Sequence, residues 1–134
     1  MKHRILAGAL CAAVLLSAPS LVAHHGMAGT YDMNTVSTAK GTLTKVDWEN
    51  PHIFVAVEVK RDDGKVENWK LESSGPLWFA NNGVTKADFV AAIGQPVTIE
   101  FLKALDGSRN GYFEIVNFAN GKSAYSMNGI KRRK

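Results

Sequence analysis

Cysteine is almost missing from this 134-residue chain, which has only Cys11. A single thiol excludes a disulfide scaffold and a Cys-rich zinc or iron–sulfur site. Histidine is scarce too, and His24, His25 and His52 fall in two short stretches. There is no Gly-rich phosphate loop and no Gly-x-Ser-x-Gly elbow, so the usual marks of nucleotide use and serine hydrolysis are absent. The most apolar stretch, Ile5 to Ala18, falls short of the roughly 20 residues a transmembrane helix needs. An excess of one charge is also lacking where the pI of 9.3 suggests it. Residues 24–130 hold ten basic and twelve acidic residues, a formal charge of −2, and the basicity sits in Lys2, Arg4 and the run Lys131 to Lys134. Basic side chains in the body alternate with acids, as in Lys60-Arg61-Asp62-Asp63. A nucleic-acid binder needs its cations arrayed along one face, so no nucleic-acid partner is expected.

What is present begins with an export layout. Met1 to Arg4 is a basic n-region, Ile5 to Ala18 an apolar h-region, and small residues with a Pro lead to Leu21-Val22-Ala23. This is the three-part pattern of a secretory signal, expected over residues 1–23 with cleavage after Ala23. The mature chain then has no Cys and no transmembrane span, and its expected location is a bacterial periplasm. Apolar residues at 46% and charged residues at 21% are the proportions of a folded domain.

Along the mature chain, residues 24–38 lack apolar periodicity and are expected as an extended arm. Ala39 to Trp48 suits a first strand, interrupted by Glu49-Asn50-Pro51-His52, because Pro starts turns and cannot donate to a ladder. Ile53, Val55, Val57 and Val59 then alternate with Phe54, Ala56, Glu58 and Lys60, the clearest strand in the sequence. Asp62-Asp63-Gly64-Lys65 signals a hairpin, and Val66 to Glu72 makes a third strand with Trp69 and Leu71 on one face. A helical turn is expected around Pro76 to Ala80. A helix follows from Thr85, with Asp88 completing a capping-box variant, Phe89, Val90 and Ile93 as its apolar stripe, and Gly94 at its end. Val97, Ile99 and Phe101 mark a fourth strand, and Tyr112 to Ala119 a fifth. The order β-β-β-α-β-β is that of the OB-fold, a five-stranded Greek-key barrel. The sequence therefore predicts an OB-like barrel over residues 39–124, with one helix. A basic tail over 125–134, starting from a short edge strand at Ser123, completes the chain.

Chemistry is confined to a few side chains. Cleavage after Ala23 makes His24 the first residue, so its α-amine and imidazole chelate one metal together. A second imidazole, from His52, completes a T-shaped nitrogen set of the histidine-brace type. Nitrogen donors of this kind favour copper on the affinity series. His25 is a further candidate ligand, and Met27 or Met33 would help hold Cu(I). Zinc needs three or four ligands, which the histidines with Asp47 or Glu49 would have to supply. Trp48, Asn50 and Trp78 are candidates for ligand or partner contact, Trp78 because its segment is irregular. Glu49 beside His52 is the only acid–base pair with local support, too little for a mechanism, so no catalysis is expected.

Two motifs carry a family resemblance. His24-His25-Gly26 follows the signal, and a strand Lys40-Gly41-Thr42-Leu43-Thr44-Lys45-Val46-Asp47-Trp48 leads through Glu49 to Asn50-Pro51-His52. With the Asp63-Gly64-Lys65 turn and the Trp69 strand, the chain resembles a family of small exported bacterial proteins classed as a domain of unknown function. In many members of that family Ser and then an aromatic follow His-His, where this chain has Gly26 and Met27. The resemblance covers nearly all of the mature chain and brings no activity with it. The expectation is thus an exported binding protein that takes a metal ion, copper first, or a small ligand. The alternative is an interaction module that holds a periplasmic or envelope partner through the strand 1–2 loop and the Trp78 region.

Overall fold

The computed structural model describes residues 26–133. Its elements are α1 (Met27–Thr30), β1 (Tyr31–Asp47), β2 (Phe54–Lys60), β3 (Val66–Glu72), α2 (Pro76–Asn81), α3 (Lys86–Ala91), β4 (Pro96–Ala104), β5 (Asn110–Phe118), β6 (Ser123–Tyr125) and α4 (Met127–Arg132). The sheet order is β3-β2-β1-β4-β5-β6, and a further parallel pairing of β3 with β5 closes the first five strands into a barrel. Strand β1 pairs with both β2 and β4, and the helices α2 and α3 lie between β3 and β4. This is the expected OB topology, with β6 added at the edge of β5.

The bend in β1 makes closure possible. Its first part pairs with β4 up to Thr42↔Pro96, and its second part pairs with β2 from Thr42↔Glu58, with a register shift between Leu43 and Lys45. Gly41 sits at the changeover, where an added Cβ would lie 2.5 Å from the Glu58 carbonyl oxygen. Glycine there lets the β2 backbone approach where strand curvature is greatest.

The core is aromatic. Phe79 from α2, Phe89 from α3 and Phe113 from β5 are fully buried and mutually in contact, with centroid separations of 5.7–6.1 Å. Val55, Val57, Trp69, Leu71, Val97, Ile99 and Phe101 supply the inward faces of the strands, which is why their period-2 alternation is so clear. The capping box forms as the sequence predicts. The Asp88 carboxylate accepts from the Thr85 backbone N–H at 2.7 Å, and the Thr85 side chain accepts from the backbone N–H of Asp88. The expected helix stripe is narrower than predicted: Phe89 is buried, but Val90 and Ile93 are 48% and 41% exposed. Six residues give little more than one and a half turns, and one aromatic with Ala92 fills the space against the barrel mouth.

Two boundaries also differ. β1 starts at Tyr31, so residues 31–38 of the expected arm are strand, paired with β4 through Tyr31↔Ala104 and Val36↔Leu102 to Thr38↔Glu100. Their side chains are mostly solvated; the ladder holds them through backbone hydrogen bonds, which leave no apolar period in the sequence. The expected loose tail is instead helix α4 over most of its length. Its Ser126 cap accepts from Gly129 N–H at 3.0 Å, and Arg132 reaches the buried Glu114 carboxylate at 2.7 Å. No helix among the described residues is long and apolar enough to cross a membrane.

Candidate functional site

A cleft of about 590 Å³ opens at one end of the barrel, lined by Met27 and Tyr31, His52, Glu72 with Ser74 and Gly75, Trp78, Tyr112, and Met127 with Asn128. It forms where three loops are tied together. After the cis Asn50-Pro51 peptide, the chain is clamped to the segment following β3: Ile53 N–H donates to Ser74 O at 3.3 Å and Ser73 N–H to Ile53 O at 3.0 Å. Gly75 packs so closely on this loop that an added Cβ would lie 2.5 Å from the Pro51 carbonyl oxygen. Gly75→Ala should therefore push the Asn-Pro-His loop away and loosen the cleft wall. Faster amide exchange at Ile53 and Ser73, with the barrel strands unchanged, is the expected result.

His52 has a defined tautomer. Its Nδ1 lies 2.8 Å from the Ser73 carbonyl oxygen. A carbonyl can only accept, so Nδ1 carries a proton, and in the neutral ring the lone pair is then on Nε2. A backbone carbonyl behind Nδ1 is the arrangement that orients a ligating imidazole.

The floor of the cleft is a polar network. Ser74 Oγ lies 3.1 Å from the Tyr112 hydroxyl and accepts from the Met127 N–H at 3.0 Å, while Ser73 Oγ donates to Phe113 O at 2.9 Å. Among the described residues no buried side-chain N or O atom lacks a partner. Tyr31 packs on Tyr112 at 5.9 Å. Burial first, and then the facing Glu72 carboxylate, hold the Tyr31 phenol well above the ordinary tyrosine range. Below about pH 10 both folded and unfolded chains keep that proton; above it the unfolded chain loses its proton first. Stability should therefore fall as pH rises above 10, with one phenol missing from the alkaline absorbance titration of the folded protein.

The sequence-predicted residues are distributed unevenly. His52 and Trp78 meet in the cleft, and the Trp78 indole N–H donates to Tyr125 O at 2.9 Å. Met27 lines the cleft, two residues after His25. His24 and His25 themselves lie outside the described residues, as does the expected signal segment 1–23. Trp48 does not face the cleft: it packs on Phe89 at 5.5 Å and Phe79 at 6.1 Å, as a lid on the aromatic core. Asn50 is exposed beside Gly75 and is not among the cleft-lining residues. Asp47 pairs with Lys45 at 2.8 Å and Glu49 is exposed; neither lines the cleft. Met33 packs against the Tyr31, Leu102 and Tyr112 cluster. Among the described residues no three His, Cys, Asp or Glu side chains group as a metal site.

Sequence reasoning missed Tyr31, Glu72, Ser74, Tyr112, Met127 and Asn128. The adjacent Ser73-Ser74-Gly75 after a strand end was the one local signal; the rest come from elements far apart in sequence, joined only by barrel closure.

No curated protein and no solved structure matches the chain. One family model does, over residues 12–113, described as a family of unknown function, DUF6152. That span includes the His-His motif, the Lys-Gly-Thr strand, the Asn-Pro-His loop and the barrel up to the start of β5, and the chain belongs to this family.

Proposed function

We propose that this protein is exported and binds copper at the cleft, through the α-amine and imidazole of His24 together with Nε2 of His52, with His25 as an auxiliary ligand. The observation that carries this is the 2.8 Å bond from His52 Nδ1 to the Ser73 carbonyl. It presents one imidazole nitrogen, in the ligating tautomer, on a cleft wall. Met27 on the same cleft supports the arm supplying the remaining donors, because His25 is only two residues upstream. Three nitrogen donors favour copper. The role proposed for the site is capture, storage or delivery of the ion.

The test is a competitive Cu(II) titration of protein whose mass confirms His24 as the first residue. The expected result is a one-to-one site, at least tenfold weaker (about 1.4 kcal/mol) in both His52→Ala and His52→Asn. The asparagine amide keeps a donor for the Ser73 carbonyl but has no second ring nitrogen, so it separates ligation from loop anchoring. Affinity no better than that of a free His-His peptide, and unchanged in both variants, would contradict the proposal.

A second reading is favoured by one observation. Leu77 is 70% exposed on the same short helix as Trp78, which suits an interaction module that holds a periplasmic or envelope protein at this rim. It predicts that Leu77→Ser abolishes partner capture and leaves copper affinity unchanged.

A further inference from the structure

We infer that the cleft also takes copper as the monovalent ion, on a soft donor set of the Met27 and Met127 thioethers with His52. This rests on the proposal that the cleft is the copper site, and goes beyond it in naming a second oxidation state of the cargo and a ligand from the far end of the described residues.

Three observations lead there. Met27 and Met127 stand 100 positions apart in sequence, yet α1 and α4 bring both side chains to line one cleft with His52. The Met27 sulfur accepts from Asn128 Nδ2 at 2.9 Å, and the Met127 backbone is tied to the cleft by its N–H donating to Ser74 Oγ at 3.0 Å. Methionine usually serves as adaptable filling for apolar gaps, but Met127 is 44% exposed. A thioether left in water at a cleft edge is not filling a core. Two thioethers and one imidazole form a set that selects Cu(I) over the harder divalent ions. Met33 provides an internal control: it packs against the tyrosine cluster, as Met27 also does, but unlike Met27 it does not line the cleft.

The experiment is an anaerobic Cu(I) competition against bicinchoninate, run on wild type, Met127→Leu and Met27→Leu/Met127→Leu, alongside the Cu(II) titration. Leucine keeps the apolar volume, so folding is preserved. The expected result is a loss of at least tenfold in Cu(I) affinity for each variant, with Cu(II) affinity within about twofold of wild type. A second readout uses Ag(I) as a redox-inert stand-in. The methyl NMR signals of Met27 and Met127 should move on addition of one equivalent, and that of Met33 should not. Unchanged Cu(I) affinity in both variants, or Ag(I) shifts that spare Met127, would overturn the thioether site. The two proposals fail separately: a Cu(II) affinity insensitive to His52 sinks the nitrogen set, and a Cu(I) affinity insensitive to methionine sinks this one.

Discussion

Phe89→Ala is expected to lower the unfolding free energy by about 3–5 kcal/mol, the usual range for removing a fully buried phenylalanine. The aromatic cluster is why the upper part of that range applies. Phe89 touches Trp48, Phe79, Phe113 and Phe118 at centroid separations of 5.1–6.1 Å, with an edge-on approach to Phe118. Its neighbours come from the β1 end, α2 and β5, and the barrel wall is fixed by its own ladder, so the gap cannot easily collapse. The loss is a large share of the roughly 5–15 kcal/mol that holds a domain together. It should appear as a lower urea midpoint with an unchanged slope. A change below about 1.5 kcal/mol, far under the range for such a truncation, would mean that the six-residue helix α3 repacks freely and does not plug the barrel mouth.

Arg132→Ala is expected to cost about 3 kcal/mol, the low end for a broken buried ion pair, because the arginine is itself partly solvated. The Glu114 carboxylate is only 2% exposed and meets the guanidinium at 2.7 Å. A second guanidinium nitrogen donates to Met33 O at 2.7 Å, so one side chain joins α4, β5 and the first part of β1. Removing it leaves a buried charge without its partner and frees the helix that carries Met127 and Asn128 to the cleft. Copper affinity should therefore fall along with stability. The double variant Arg132→Met/Glu114→Leu separates the two effects, since replacing both charges with apolar groups should restore most of the stability. If Arg132→Ala alone leaves the melting temperature unchanged, α4 is an ornament on the barrel and not a part of the cleft.

The barrel was legible in the sequence wherever a strand has one face inside. Val55, Val57, Trp69, Leu71, Val97, Ile99 and Phe101 alternate because every second residue enters the core, and the hairpin and capping signals set the connections between them. It was not legible where the chain is held by backbone pairing and a few contacts distant in sequence. Tyr31 to Thr38 reads as an irregular arm because its strand pairs with β4 while both faces stay largely wet. α4 reads as a basic tail because what anchors it, Glu114, lies eighteen positions away inside a strand that looks like any other apolar run. The site divides in the same way. His52 and Trp78 stand out by residue type and by the breaks around them. Met127 does not, because nothing local says that α4 meets α1 at the cleft. Trp48 carries the opposite lesson: a rare aromatic next to a motif can simply close a core.

Copper ligation is tested most directly by nitrogen couplings in the electron paramagnetic resonance spectrum of the mature protein loaded with one equivalent of Cu(II). The predicted result is one amine and two imidazoles on the ion, reduced to the amine and one imidazole in His52→Asn with the fold intact. An identical spectrum for wild type and His52→Asn would place the metal on the free arm alone and contradict a site built by the cleft.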